Sequence, residues 1–496
     1  MNDNKTNNTI QAFWVGIGSL CAFGVSLVST MILSRYFDKA DYGTYRQVLY
    51  VYQTLLAVFT LGLPKAYSYF LPRIEEECAK SLIKKVTFIF YLLGGLFSVL
   101  LFVLSPQIAA LLKNPDVEEA MKIFSPVPFL LLPTMGLEGI FASYQKNRYM
   151  AIYNVVTKTL VLLCVSLPVI FFDGTYKDAL VGFVIASFFS YLVANYLKCK
   201  CIRFEINKDT SISYKEILHF SLPLLFASLW GILAVSTDKF YISHYFGQEV
   251  FAEFSNGSLQ LPFVGMIIGA CSTVLMPLFS RKMHECKNPQ SEILPIWKSV
   301  FEKTIKITYP LVLFSLFFAD YIMILLYGNQ YANSGIYFAI MLIVNFFTVI
   351  SYFPILIAIG ASRFYSRVQM FGALYILAFG YLSILIFRSP YAMTVISVSG
   401  TIIMVFVMLS YIAKFFSIGL FQLIPIKLCF KIIIPSICFL LVIRLVLENW
   451  IAMDGRLLLI LLVAFFVYAL LYVIGSVILR IDYASMVKPL ISKLIK

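Results

Sequence analysis

The stretch SRYFDKADYGTYR, Ser34 to Arg46, lies where the first apolar run of the chain ends. It returns 209 residues later as SHYFGQEVFAEFS, Ser243 to Ser255, again at the end of a long apolar run. Ser, Tyr and Phe occupy the same columns in both stretches, and two Tyr of the first are Phe in the second. A match of 13 residues is weak by itself. Its meaning depends on whether the surrounding chain repeats in step with it.

The composition indicates a membrane protein. Sixty per cent of the 496 residues are hydrophobic, only 13% are charged, and the mean hydropathy is +0.88. A soluble chain of this length carries more charge, because its surface must face water. The segments Val86–Leu112 and Phe254–Ser280 contain no charged residue, and each exceeds the roughly 20 residues that cross a bilayer. We therefore predict an all-α polytopic membrane protein.

About fourteen transmembrane helices are predicted from the apolar runs. The least secure boundary separates the ninth from the tenth, where only the turn Gly328–Gly335 interrupts an uncharged region. The predicted spans are 10–34, 44–70, 86–112, 121–143, 152–172, 178–198, 217–245, 251–280, 305–327, 333–360, 367–387, 390–413, 428–447 and 457–479.

The distribution of basic residues predicts the orientation. With the N-terminus inside, 29 of the 39 Lys and Arg residues fall on the inner side, nine fall outside, and Lys239 lies within a span. Because basic loops remain on the cytoplasmic side, both termini are expected to be cytoplasmic. The protein is then a multi-pass component of the bacterial inner (cytoplasmic) membrane.

The net charge of +14 does not indicate a nucleic-acid partner, because the basic residues are spread over many short loops. The longest polar stretches, Lys198–Glu216 and Arg281–Glu302, leave no room for a soluble catalytic domain. We therefore expect a transporter and not an enzyme, with no catalytic residue, no cofactor and no metal site. Coupling to H⁺ or Na⁺ is left open.

Two further matches follow the first in chain order. Ile108–Asn114 resembles Ile322–Gly328 at an offset of 214, and Ala142–Arg148 resembles Ala361–Arg367 at an offset of 219. Ordered matches at similar offsets indicate an internal duplication. Each copy holds six spans, so both keep one orientation, as in transporters with parallel repeats. We predict an N-terminal six-helix lobe at 1–200, a C-terminal six-helix lobe at 201–420, and two additional helices with a cytoplasmic tail at 421–496.

The chain resembles the polysaccharide-export (Wzx-type) flippases of the multidrug/oligosaccharidyl-lipid/polysaccharide exporter superfamily. The resemblance rests on Ser34–Arg46, on GLPKAYSYFLPR at Gly62–Arg73, on STDKFYIS at Ser236–Ser243 and on the LLYG turn after the ninth span. It implies two six-helix bundles around a V-shaped cleft. It also implies flipping of an undecaprenyl-pyrophosphate-linked oligosaccharide repeat unit, for O-antigen or capsule, from the inner to the outer leaflet. A glycan polymerase and chain-length machinery would be partners.

Ionisable residues within spans are the candidate site residues, because they are costly in a bilayer. Asp238 and Lys239 are the leading candidates. Lys239 lies seven residues before Phe246, about 10 Å below the outer end of its span. A gating or substrate role competes there with snorkelling and local pairing. Lys65 either anchors the inner end of the second span or contacts the pyrophosphate.

Glu138 is the coupling candidate, with a counter-ion role for Lys65 or Lys158 as its alternative. Lys158 itself lies six residues into the fifth span and is equally ambiguous. Arg148 and Arg367 correspond through the third match. They could guide an anionic headgroup or simply set the orientation.

Three alternatives remain open. A cation-coupled multidrug exporter of the superfamily would be expected to hold an acidic residue in the first span, but Ile10–Ser34 contains none. A lipid II flippase would place several basic residues in the first lobe, where only Lys65 and Lys158 come close. A membrane-embedded glycan polymerase would need catalytic residues on sizeable outer loops.

Overall fold

The computed structural model describes residues 2–201, 208–285, 289–350, 352–451 and 457–483, and in these ranges the protein contains helices and no strand. The predicted cytoplasmic tail, 484–496, lies outside them. Short 3-10 helices occur at Leu71–Arg73, Leu132–Thr134 and Asn329–Tyr331. The α-helices are α1 Asn2–Tyr36, α2 Lys39–Phe59, α3 Pro64–Phe70, α4 Glu76–Val103, α5 Ser105–Leu112, α6 Asp116–Phe124, α7 Val127–Leu131, α8 Leu137–Ser143, α9 Asn147–Phe172, α10 Tyr176–Cys201, α11 Tyr214–Gly257, α12 Pro262–Glu285, α13 Pro289–Phe317, α14 Ala319–Tyr327, α15 Ser334–Leu342, α16 Asn345–Thr348, α17 Phe353–Ala358, α18 Ser362–Phe387, α19 Pro390–Phe415, α20 Leu420–Leu423, α21 Ile426–Ile451 and α22 Leu457–Ile478.

The long helices expose apolar side chains along one face, as expected of helices in a bilayer. In α4 the exposed large apolar side chains are Phe88, Leu92, Leu96, Val99, Phe102 and Val103, most of them spaced by three or four residues. This spacing places them on one side of the helix. The opposite side is buried against neighbouring helices. Such an apolar face is suited to contact with lipid tails.

The predicted fold class is confirmed. Eleven helical segments of the described chain are long and apolar enough to cross a membrane, and two bent pairs raise the number to thirteen if each pair is one span. The predicted tenth span, 333–360, is instead divided among α15, α16 and α17. Pro354 lacks the amide hydrogen that would extend α17 backwards into one long helix.

The contacts divide the chain into two units, Met1–Ala252 and Glu253–Lys496. The first unit includes most of α11 and therefore extends beyond the predicted lobe boundary at residue 200. The predicted lobes are defined by the repeat in the sequence, whereas the two units are defined by contacts between residues. The lobe boundaries thus stay a prediction.

Small residues bring the helices of the first unit together. A Cβ atom on Gly18 of α1 would lie 2.7 Å from the Cα of Ala151 in α9. One on Gly182 of α10 would lie 2.0 Å from the carbonyl oxygen of Cys164 in α9. Backbones approach this closely in membrane proteins because glycine and alanine leave room for dispersion contacts.

The segment before α11 is attached to the start of α4. Lys85 donates to the carbonyl oxygens of Thr210 and Ile212, both at 3.0 Å. The Lys208 amide donates to the Glu77 carbonyl, and the two side chains form an ion pair. The hydrogen bond to Glu77 raises the pKa of Lys208 above its ordinary value. The ammonium form of Lys208 is therefore complete at neutral pH.

In the second unit, the two C-terminal helices pack on α13. Tyr468 of α22 donates to the Pro310 carbonyl oxygen at 3.3 Å. Arg444 of α21 donates to the Asp320 carboxylate at 2.9 Å and also to the Phe317 carbonyl. These contacts lie where α13 and α14 bend by 74°, so Arg444 binds a carbonyl that the bend has freed from helical pairing.

Helices α9 and α18 have the same length and lie at a single offset along the chain. Helix α9, Asn147–Phe172, and helix α18, Ser362–Phe387, begin and end 215 residues apart. Each ends on a left-handed residue, Asp173 (φ 49°) and Arg388 (φ 46°). The third sequence match, at an offset of 219, was therefore four residues out of register. Arg148 corresponds to Arg363, not to Arg367.

Candidate functional site

The second span is interrupted between α2 and α3. Leu61 and Gly62 both have left-handed backbones, with φ of 49° and 70°. Glycine adopts this conformation freely, but leucine does so at a cost of about 1–2 kcal/mol. Pro64 then fits the first turn of α3, where its missing amide hydrogen is not needed. Lys65 follows immediately, in the same turn.

The fourth span is interrupted as well. It consists of α6, α7, a 3-10 turn and α8. Pro126 precedes α7, Pro128 lies in its first turn and Pro133 lies in the 3-10 turn, and each proline lacks the amide hydrogen that a continuous helix requires. Glu138 lies in the first turn of α8. Lys65 and Glu138 thus each follow a break in an apolar span.

The second unit repeats this pattern of interruption. Helices α13 and α14 are separated at Phe318, as α4 and α5 are at Leu104. The tenth span is divided like the fourth. Interrupted apolar segments at corresponding positions of two repeats are the best pointer to a transporter's substrate site. The break in the fourth span therefore marks the candidate site of the first unit, and the break in the second span is included because α3 packs on α8.

Helices α3 and α8 pack directly on each other through two glycines. A Cβ atom on Gly136 would lie 1.9 Å from the Tyr67 ring, and one on Gly139 would lie 3.0 Å from the Pro64 carbonyl oxygen. The side chains of Lys65 and Glu138 are both exposed. The pairing of α3 with α8 therefore brings one basic and one acidic residue to neighbouring interrupted helices.

The expected ion pair of Glu138 does not form. Among the described residues, Glu138 makes no salt bridge, either with Lys65 or with Lys158. Lys65, Lys158 and Glu138 all have exposed side chains, and the counter-ion role of Glu138 stays a prediction. Whether Glu138 couples transport to an ion stays a prediction.

Lys198 has a role that the sequence did not suggest. Its ammonium donates to the Pro133 carbonyl oxygen at 2.9 Å. That carbonyl lies in the 3-10 turn before α8, where regular helical pairing is lost. A buried carbonyl without a donor is costly, so Lys198 supports the break in the fourth span.

Asp238 and Lys239 lie on α11 close to its contact with α2. Asp238 is buried and accepts a hydrogen bond from the Lys239 amide at 2.7 Å, while Lys239 is half-buried. Two residues earlier, Ser236 accepts from the Tyr50 hydroxyl at 3.0 Å through its carbonyl. The pair is thus held at a helix interface rather than on a lipid face.

A chain of buried polar side chains joins α2, the connection between α5 and α6, and α11. Gln47 donates to the Ser243 hydroxyl at 2.7 Å, and Asn114 donates to the Gln47 carbonyl at 2.7 Å and to the Thr44 hydroxyl at 2.9 Å. All four are at most 3% exposed. Ser243 and Asn114 belong to the matched sequence stretches. Polar residues within these stretches are the sequence signal from which the hydrogen-bonded set could have been predicted.

The basic residues at the ends of α9 and α18 have separate surroundings. Arg148 is exposed, with its guanidinium 5.6 Å from the Trp14 ring centroid. Arg367 is exposed and bonds through Nε to the Arg363 carbonyl at 3.4 Å. In the register of the two helices Arg363, and not Arg367, is equivalent to Arg148, and a role of Arg148 and Arg367 in guiding a headgroup stays a prediction.

The family is decided by the N-terminal half of the chain. Residues 10–283, more than half of the sequence, match the family described as polysaccharide biosynthesis protein. The chain belongs to this family. Six of the seven candidate site residues, including Lys65 and Lys239, lie within the matched part, and Arg367 lies beyond it.

A curated relative of this polysaccharide biosynthesis protein is the capsular polysaccharide biosynthesis protein CapF of Staphylococcus aureus. The two are 26% identical over 215 residues, which is 42% of this chain and 52% of the relative. The match therefore spans about half the length of that relative.

Solved transporter structures share the fold at low sequence identity. The lipid II flippase MurJ, in an inward closed conformation, aligns over 94% of this chain and 98% of its own, with a TM-score of 0.67 and 16% identity. A MOP superfamily transporter from Pyrococcus furiosus covers 83% and 96%, with a TM-score of 0.58 and 15% identity. A MATE structure in complex with MaL6 covers 84% and 97%, with a TM-score of 0.59 and 15% identity. These likenesses establish the fold of the polysaccharide biosynthesis protein.

Proposed function

We propose that the protein flips an undecaprenyl-pyrophosphate-linked oligosaccharide repeat unit from the cytoplasmic to the outer leaflet. Family membership supports the glycan pathway, and the fold of MurJ and of MATE transporters supports movement across a bilayer. The observation that carries the proposal is the exposed lysine, Lys65, beside a break in an apolar span. Alternating access of the two predicted six-helix lobes would move the headgroup.

The chemistry of the substrate requires such a residue. A pyrophosphate-linked headgroup carries at least two negative charges, which cannot enter hydrocarbon without partners. An exposed ammonium at an interrupted helix offers a charge-assisted hydrogen bond to a phosphate oxygen. Lys158 offers a second cation on α9, and Arg148 a third at its beginning. The hydroxyl groups of the oligosaccharide need a hydrated path.

Lipid II is the second candidate substrate. MurJ, described as a lipid II flippase, gives a TM-score of 0.67, against 0.59 for the MATE structure. Lipid II also joins an undecaprenyl tail, a pyrophosphate and a sugar, so the two substrates differ only in the headgroup. The distinction must come from experiment.

The test is reconstitution of the full chain in proteoliposomes with a fluorescent lipid-linked oligosaccharide. Flipping is measured as exposure of the sugar to a membrane-impermeant glycosidase, with protein-free vesicles as the control. We expect protein-dependent exposure of the oligosaccharide and a weaker response with lipid II. Equal rates in vesicles with and without protein would refute the proposal. Faster flipping of lipid II would favour the second candidate.

The proposed orientation has both termini on the cytoplasmic side of the inner membrane. The excess of Lys and Arg on the predicted inner loops supports it. Fusion of a periplasm-active reporter after residue 496 should give no activity, whereas fusion in the turn after Phe172 should give activity. The opposite result would reverse the orientation.

A further inference from the structure

We infer that Arg73, stacked on Tyr69, forms a phosphoanion-binding site at the end of the second span. The Arg73 guanidinium carbon lies 3.6 Å from the Tyr69 ring centroid. The Tyr69 ring in turn stacks on Phe220, with centroids 4.1 Å apart and planes inclined by 23°. Arginine, tyrosine and phenylalanine thus form three successive layers. For a lipid-linked substrate, the inference rests on the proposed function.

The backbone explains why these three side chains meet. Helix α3 continues into the 3-10 turn Leu71–Arg73, so Arg73 follows Tyr69 by four residues and lies on the same side. Gly62 brings the break before α3 against the start of α11, since a Cβ atom there would lie 3.0 Å from the Ser221 carbonyl oxygen. Phe220, the residue before Ser221, is thereby placed beneath Tyr69.

The stack fixes the guanidinium without using its hydrogen-bond donors. A guanidinium that lies face-on over a ring is attracted by the ring electrons, while its five N–H groups point outward from its edge. These donors match two oxygens of one phosphate in a bidentate arrangement. Preorganisation of this kind strengthens binding, because fewer side-chain rotamers are lost on association.

Arg73 is exposed, and among the described residues it forms no ion pair. Three glutamates follow at Glu75–Glu77, yet the described partner of Glu77 is Lys208 rather than Arg73. The glutamates weaken the general attraction of this region for anions. A ligand that binds here must therefore be recognised through directional bonds to the guanidinium.

The position of Arg73 in the bilayer selects the ligand class. It is the last residue of the apolar span Lys39–Arg73, so it lies at the boundary between hydrocarbon and water. Phosphates attached to lipid tails occupy this depth. The diphosphate of a polyprenyl-linked substrate and the phosphate of a membrane phospholipid share this chemistry. Lys65, two turns earlier and also exposed, would contact the same substrate when it moves deeper.

Binding of farnesyl diphosphate, a short polyprenyl diphosphate, to the purified full chain tests the site without any transport. The protein is placed in phosphatidylcholine nanodiscs, and binding is measured with a radiolabelled probe. We expect Arg73→Gln to weaken binding about tenfold or more, as the loss of a charged hydrogen bond predicts. Arg73→Lys keeps the charge but loses the planar fork, so it should retain only part of the affinity of the unaltered protein. Tyr69→Leu should weaken binding with Arg73 still present.

Lys84→Gln is the matched control, since it removes one exposed cation from the neighbouring helix α4. Equal affinities of Arg73→Gln, Lys84→Gln and the unaltered protein would overturn the inference. Adding phosphatidylglycerol to the nanodiscs distinguishes the two candidate ligands, the polyprenyl diphosphate and the phospholipid headgroup. Displacement of the probe would assign the site to phospholipid headgroups, and persistence of the probe would assign it to the polyprenyl diphosphate. A failure of flipping with Arg73-dependent binding intact would refute only the transport proposal.

Discussion

Lys65 and Lys239 are the single residues for which the structure makes the strongest functional prediction. Lys65 is exposed beside the break before α3, and Lys239 is half-buried beside the contact of α11 with α2. Neither forms an ion pair within the described chain. Substitution of either by Ala should therefore leave insertion and folding intact. If each contacts the diphosphate, the loss of a charged hydrogen bond of about 1.5–3 kcal/mol lowers flipping roughly tenfold or more.

The measurement is the initial flipping rate in proteoliposomes together with glycan display on cells. Lys84→Ala is the control, because it removes an exposed lysine of α4. A rate for Lys65→Ala or Lys239→Ala equal to that of the control would return the residue to a purely structural role.

The buried polar chain predicts a stability effect at the same scale. Gln47→Leu removes the donor to the Ser243 hydroxyl and one of the two acceptors of the Asn114 amide, which keeps Thr44, in a region that is buried. Each unsatisfied buried group costs about 1–3 kcal/mol, so the apparent unfolding temperature in detergent should fall. Ser243→Ala alone should cost less. The double substitution Gln47→Leu with Ser243→Ala should cost less than the sum of the two, whereas strict additivity would contradict the contact.

The sequence selects candidate site residues by a charge within an apolar run, and their roles stay predictions. Lys65 and Glu138 were selected in this way, and both lie beside breaks. Their side-chain directions could not be predicted, because an ion pair depends on how two helices rotate. The neutral residues Gln47 and Asn114 were missed, since a polar amide in a span is ordinary until its burial is known.

At the scale of elements, the packing of α3 on α8 gives a sharp prediction. Gly136→Ala places a methyl group 1.9 Å from the Tyr67 ring, which cannot move freely because its hydroxyl bonds Thr87 at 3.0 Å. Overpacking of this kind costs about 1–3 kcal/mol. We expect a lower apparent unfolding temperature and slower flipping. Gly231→Ala is the control, because nothing lies within 4 Å of its Cβ position. Equal stability of the two variants would show that α3 and α8 separate easily.

The sequence predicted the long elements well and the broken ones poorly. Hydropathy predicts the fourth span as one segment, 121–143, whereas its three prolines divide it into α6, α7 and α8. The run Val86–Leu112 lacks charge throughout, yet it divides into α4 and α5 at Leu104. Hydropathy averages over a window and does not register a local change of backbone direction. Such breaks, here the candidate site, are the features it conceals.

For the whole molecule, composition was sufficient to predict an all-α polytopic membrane protein, and the structure agrees. The division into packing units could not be predicted in the same way. The first unit ends at Ala252, because side chains such as Ser243 and Ser236 of α11 bond α2. A sequence repeat indicates where each copy begins, but the end of a packing unit depends on contacts between residues that are distant in the sequence.

The direction of transport is the prediction that belongs to the whole molecule. A substrate with at least two negative charges gains about 2.3 kcal/mol per charge when it leaves an interior held at −100 mV. If the headgroup crosses without a compensating ion, about 4.6 kcal/mol favours the outer leaflet. A potassium gradient with valinomycin sets this potential in proteoliposomes, and the impermeant glycosidase reports the exposed fraction. We expect the fraction to rise when the inside is negative and to fall when the potential is reversed. An unchanged fraction would indicate that cations accompany the substrate. Glu138 would then be the first residue to substitute, since it is the exposed acid beside the break in the fourth span.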